Sequence, residues 1–169
     1  MSFWRNVIGV LCLGLSLSVS GNTVDMQKCG AARLTVLFWD IYESSLFTPS
    51  GQYYPGIRPL RLEIKYLRQI KASDLVAQTA KEWQAQGIQD SRHDTWLTML
   101  DNLWPDVKAN DVLALSIAEN GGAQFTFNGE LLGTIDDPDF GRDFAGIWLS
   151  PRTTRPKLRA ALIGDTNQG

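Results

Sequence analysis

One histidine, two cysteines and a cluster of aspartates are the side chains in this chain with the best claim to chemistry. His93 stands in SRHDTW, and Asp136, Asp137 and Asp139 stand together in TIDDPDF. A metal centre needs several ligands brought together, and Cys12, Cys29 and His93 are scattered without ligand spacing. A serine nucleophile would have to take His93 as its base, and no Gly-x-Ser-x-Gly elbow exists to present one. Neither glycine-rich nucleotide fingerprint occurs, and Gly121-Gly122 reads as part of a hairpin turn. The three aspartates surround a helix start, where capping and the helix dipole account for them without acid–base work. His93 has three readings: a half-exposed residue in the first turn of a helix, an axial ligand to a bound haem, or a general base. Arg152, Arg155, Lys157 and Arg159 form a basic cluster that reads as a solvated helix face in preference to an anion site.

Reactive groups are scarce, and aromatic ones are not. Trp39, Trp83, Trp96, Trp104 and Trp148 fall on four different elements. Large rings dominate core burial. Helices layered over a sheet and lined by Trp, Phe and Leu are also where an apolar pocket opens. Tyr42 and Tyr66 would supply its polar tips.

The elements that position these residues follow from periodicity. Gln124–Asn128 and Glu130–Ile135 are strand-like, and Asn128-Gly129 between them is the preferred pair for a two-residue turn with positive φ. Asp137 then offers a capping carboxylate and Pro138 suits the first helical position. Phe140, Phe144, Ile147 and Trp148 follow as one apolar helical stripe. Upstream, Arg33–Phe47 is rich in β-branched and aromatic residues and reads as one long, bent strand covered on both sides. The loop Thr48–Gly56 follows, dense in Pro and Gly. Leu60–Leu67 alternates, with Leu60, Leu62, Ile64 and Tyr66 on one face and Arg61, Glu63 and Lys65 on the other.

Two helices come next. Ser73 is placed to cap Asp74–Gln86, whose stripe is Val76, Ala80 and Trp83 and whose stop is Gly87. Ser91 or Asp90 caps the second, with Trp96, Met99, Leu100 and Leu103 on one face and Pro105 at its end. Val112–Ala118 is a buried strand, so Val112 to Ile135 forms a three-strand meander. Arg155–Ile163 closes the chain as a short helix with Leu158 and Leu162 inward and Gly164 behind it. Strands, two helices, strands and two helices, joined by local hairpins, predict an α+β fold: an antiparallel sheet with helices on one face.

The first residues differ in kind. Arg5 precedes the apolar run Val7–Val19 and the small residues Ser18, Ser20 and Gly21. A short basic region, about 7–15 apolar residues and a small-residue site describe a secretory signal peptide. The run is shorter than the roughly 20 residues a spanning helix needs, so residues 1–21 are expected to be removed and the mature protein to be periplasmic or secreted. Lys and Arg then fall from 16 to 15 against 18 acids, a net charge of −3. That lacks the basic face of a nucleic-acid binder. Cys29 is left unpaired, so no disulfide staples the exported chain. A composition of 44% hydrophobic and 20% charged residues supplies a real core instead.

Four segments, LFWDIYESSLFTPSG (Leu37–Gly51), LRLEIKYLR (Leu60–Arg68), LWPDVKANDVL (Leu103–Leu113) and FNGELLGTIDDPDF with IWLSPRT (Phe127–Thr153), resemble in that order the bacterial chalcone-isomerase-like domain. The likeness covers residues 28–164. It implies an open-faced β-sandwich, a large antiparallel sheet with helices packed on one face. Plant enzymes of the family close chalcones into flavanones, other members bind fatty acids, and some bacterial relatives are associated with haem. The enzymes use an arginine ahead of the first long strand, a threonine within it and a polar group near the first helix. Arg33 is the nearest candidate for the arginine, Leu37 stands at the threonine position, and Lys71, Asp74 and Gln78 stand where the polar group belongs. The catalytic set does not carry over. The expectation is an exported, non-catalytic binder of an apolar small molecule, fatty-acid-like or haem. Its candidate ligand-binding residues are Arg33, Leu37, Trp39, Tyr42, Tyr66, Trp83, Trp96 and Trp148, with His93 as the haem ligand if haem is bound. An intramolecular lyase acting on chalcone-like or enone substrates is one alternative. An envelope module contacting partners through the Thr48–Gly56 loop and the basic C-terminal helix is another.

Overall fold

A computed structural model describes residues 25–165; the expected signal peptide, residues 1–21, lies outside them. Six strands pair strictly in chain order and everywhere antiparallel: β1 (Gln27–Val36), β2 (Trp39–Thr48), β3 (Leu60–Tyr66), β4 (Val112–Ile117), β5 (Ala123–Phe127) and β6 (Glu130–Ile135). Helices α1 (Ala72–Ala85) and α2 (His93–Leu103) follow β3, and α3 (Pro138–Leu149) and α4 (Pro156–Leu162) follow β6. They cover one face of the sheet. The other face is polar and open, as Arg61, Glu63 and Lys65 show on β3, so the chain has the open-faced α+β architecture the element order implies.

Register makes the covered face continuous. Leu46 pairs with Leu62, Leu62 with Leu115 and Leu115 with Phe125, a buried apolar row across four strands. Leu60, Ile117, Ala123 and Ile135 form the next such row. The β5–β6 turn is as the Asn-Gly pair requires, with φ of 51° at Asn128 and 88° at Gly129. Asp137 caps α3, accepting the Asp139 N–H at 3.0 Å.

The segment Arg33–Phe47 is not one strand. Val36 pairs with Trp39, and Leu37-Phe38 is a two-residue turn that reverses the chain. No Gly, Pro, Asn or Asp marks it, so its β-forming composition concealed the hairpin; Leu37 adopts φ 57° instead. The ladder slips twice, at Cys29 on β1 and at Ile41 on β2. Ser73 is not the cap of α1 either. Lys71 holds that position without a side-chain bond, and the first N–H of the helix, at Ala72, is taken by Asp106 Oδ1 at 2.8 Å. Met99 faces solvent rather than the core.

Two close approaches lock the helical layer. A Cβ on Gly30 would lie 2.2 Å from the Ala161 carbonyl oxygen, so only glycine lets α4 seat on β1. Helix α1 packs mainly on α2 and α3. It is fastened to α3 by two buried bonds: Trp83 Nε1 donates to the Asp143 carbonyl at 3.0 Å and Gln86 Nε2 to the Ile147 carbonyl at 3.2 Å.

Candidate functional site: a cavity between sheet and helices

Because α1 is carried by other helices, it spans the sheet without filling the space beneath. A cavity of about 430 Å³ lies there, within the size range of small-molecule sites. Its floor is aliphatic, with Leu62, Ile64, Leu113 and Leu115 from β3 and β4. Leu75 and Thr79 of α1 and Phe144, Ile147 and Trp148 of α3 form the roof. Leu34 and Val36 of β1 and the bulged Ile41 of β2 close the side. Asp74, Gln78, Glu82 and Arg155 supply charge and polarity to the lining.

The polar groups are mostly committed. Thr79 donates its hydroxyl to the Leu75 carbonyl and Thr153 to the Ile147 carbonyl. Glu82 accepts from Gln78 Nε2 at 3.0 Å and from the Thr154 hydroxyl at 2.8 Å. Trp148 Nε1 donates to the Tyr42 hydroxyl oxygen at 2.9 Å. That leaves the Tyr42 O–H as a donor. Burial pushes the Tyr42 phenol up to about 12, against the Trp148 hydrogen bond and the Arg155 charge, which favour ionisation, and with a small push from Glu82. Burial also raises Tyr66, whose ring meets Tyr42 edge-on at 6.3 Å. At neutral pH both phenols are therefore hydrogen-bond donors and not bases. The Arg155 guanidinium is exposed and has no ion-pair partner among the described residues. A cation and a phenol donor beside an apolar chamber can hold an anionic or strongly polar head group.

Tyr42, Tyr66 and Trp148 are thus brought together on the cavity, and the other sequence candidates are not. Arg33 sits on the open face, bonded to Asp40 at 2.9 Å and to Glu43. Leu37 and Trp39 project from the hairpin tip, 85% and 64% exposed; the unsuspected turn removed them from the strand interior. Trp83 and Trp96 are buried in side-chain packing, their rings 6.0 Å apart edge-to-face. Arg155 was missed. It is the N-cap residue of α4, and its place against Tyr42 depends on the α3–α4 connection, which leaves no local signal. Asp74 and Gln78, by contrast, stand at the positions the family resemblance singled out.

His93 stacks on Trp83 at 4.3 Å, with Nε2 3.6 Å from Asp143 Oδ2, away from the cavity lining. The lining includes no His, Cys or Met, the usual axial ligands of haem iron apart from Tyr; Tyr42 is already engaged by Trp148, and burial favours the neutral phenol of Tyr42 and Tyr66 over the phenolate that iron takes. These residues do not fit haem. The lining has no His, Cys, Lys or Ser, and the hydroxyls of Thr79 and Thr153 are donated to backbone carbonyls.

Comparison with known proteins decides the family. The profile of the chalcone isomerase-like family matches residues 13–164. The chain belongs to that family. A protein of Haemophilus influenzae described only as uncharacterised is 31% identical over 140 residues, 83% of this chain and 69% of its own length. Among solved structures, the crystal structure of a fatty-acid binding protein of Arabidopsis thaliana superposes with a TM-score of 0.65 over 86% of this chain and 89% of its own. At 9% identity that likeness is one of fold. The same fold thus serves a fatty-acid binding protein.

Proposed function

We propose that this chain binds an elongated apolar molecule with an acidic head, fatty-acid-like in character, and does not convert it. The observation that carries the reading is the apolar chamber of about 430 Å³ with Arg155 and the Tyr42 hydroxyl beside it. The fold neighbour's own ligand class supports it. Burial contributes about 0.8 kcal/mol per methylene, so a chain of about a dozen methylenes offsets the several kcal/mol that association costs. The reading includes export: the apolar run Val7–Val19 and the small residues behind it support cleavage after Gly21. N-terminal sequencing of protein recovered from its own host is then expected to begin at Asn22.

Displacement of a fluorescent fatty acid by long-chain acids tests the binding. Leu75→Trp, which places an indole in the chamber from the α1 side, is expected to abolish displacement while leaving the urea midpoint nearly unchanged. Equal binding by wild type and Leu75→Trp, or none by wild type, overturns the assignment.

A further inference from the structure

We propose that the β1–β2 hairpin tip is a wedge that docks the protein on a lipid bilayer, next to the cavity. Seven large apolar side chains are exposed among the described residues, and four of them, Val36, Leu37, Phe38 and Trp39, are consecutive at this tip. Phe38 is 96% exposed. A contiguous apolar patch of this kind marks an interaction surface. Leu37 also holds φ 57° in a two-residue hairpin turn, where glycine or asparagine is unstrained and a bulky residue is not. The apolar side chain stands there against the turn's own preference, which links the strain to function rather than to folding.

Three features select a bilayer as the occupant. The tip is narrow, four side chains at the end of a ribbon, whereas a stable protein contact buries about 800 Å² on each partner. Leu, Phe and Trp together are the side chains that enter the boundary between head groups and acyl chains. Second, the exposed Arg68 guanidinium lies over the Trp39 ring at 5.4 Å. Arg68 has no ion pair among the described residues, so with Trp39 at head-group depth its charge meets lipid phosphate. Asp40, next in sequence to Trp39, is already held by Arg33 and the Thr35 hydroxyl. Third, Val36 and Ile41 flank the tip and both line the cavity. Apolar surface therefore runs from the wedge into the interior, and an acyl chain leaving the bilayer along it avoids water. That last step rests on the ligand reading above; the docking itself does not.

Flotation of the full chain with phosphatidylcholine vesicles, with and without phosphatidylglycerol, tests the wedge, and brominated lipids report the depth of Trp39. Wild type is expected to float, with a component of the quenching that disappears in Trp39→Phe. The double substitution Phe38→Ser, Trp39→Ser is expected to lower partitioning about tenfold or more. Leu37→Gly relaxes the turn, so it is expected to float less while its urea midpoint holds or rises; this variant separates lost docking from lost folding. All three are expected to bind a fluorescent fatty acid in solution as wild type does, and the Ser and Gly variants to take it up from vesicles more slowly. Equal flotation of wild type and the tip variants, or quenching unchanged in Trp39→Phe, overturns the wedge and leaves the ligand reading intact. A native mass that halves in the double variant assigns the tip to a contact between copies and also overturns it. Tip-dependent flotation without fatty-acid binding supports the wedge and removes the ligand reading alone.

Discussion

The covered face of the sheet is packed by two different means, and the contrast explains why one half is solid and the other hollow. Toward β5, rings interlock: Trp96 meets Phe140 at 5.6 Å, Trp104 meets Phe125 at 5.5 Å, and Phe125 meets Phe144 at 5.4 Å, all edge-to-face, so that Trp104, Phe125 and Phe144 wall the chamber on that side. Phe140 and Phe144 stack at 5.6 Å along α3. Each ring fills the notch beside the next, and α3 is seated on β5 as a result. Toward β2 and β3 the floor is Leu62 and Ile64, and the helix above is α1, which is held by α3 through Trp83 and Gln86. Short aliphatic side chains under a helix suspended from its neighbours leave the chamber open. The chamber's floor and roof are themselves largely apolar, so the hollow does not reflect a lack of apolar residues.

Truncation on the two sides should break this comparison most visibly. Phe140→Ala removes a fully buried ring from the interlocked half and is expected to cost about 3–5 kcal/mol in urea unfolding. Leu113→Ala, on the cavity floor, is expected to cost only about 2 kcal/mol, since it enlarges a space that already exists. Equal losses would mean the two halves are packed alike. The ligand side of the contrast is smaller. Arg155→Ala is expected to weaken fatty-acid binding about fivefold to tenfold, the value of a charge-assisted hydrogen bond at an exposed site. Arg33→Ala, on the open face, is expected to leave it unchanged. Titration with a fluorescent fatty acid checks both.

Most of the fold was legible because local signals agreed with tertiary placement. The alternation of Leu60–Tyr66, the Asn128-Gly129 turn and the Asp137-Pro138 cap each specify one conformation on their own terms. The misses share a cause. The Leu37-Phe38 turn carries no turn chemistry, and a continuous strand through it would place Leu37 and Trp39 against the core. The cap of α1 is supplied by Asp106, which is distant in sequence. At the candidate site, Tyr42, Tyr66 and Trp148, which their amphipathic rings mark in the sequence, line the cavity. Trp83 and Trp96 looked equivalent, because sequence does not distinguish a ring consumed by packing from one beside a void. Arg155 looked like any basic residue opening a surface helix.

Acid and alkaline titration sharpen the contrast through charge. Over the solid half, Arg92 binds Asp90, Asp137 and Asp139 at 2.6, 2.9 and 2.8 Å and stacks on Trp96 at 4.8 Å. Its hydrogen bonds are the leading cause that holds Asp90 and Asp139 below the ordinary carboxylate range. A carboxylate depressed by folding adds stability above its unfolded value, about 3.9, and that contribution disappears as pH falls through the folded value. Arg92→Gln is therefore expected to lower the urea midpoint at neutral pH and to flatten its fall below about pH 4. Beside the chamber the sign is opposite in pH. Tyr42 is raised to about 12, so its contribution is complete below about pH 10 and is lost as pH climbs toward the folded value. Tyr42→Phe is expected to soften the alkaline loss and leave the acid limb untouched. Urea midpoints measured across pH for both variants check this, and a single substitution that altered both limbs would show the two halves to be electrostatically coupled.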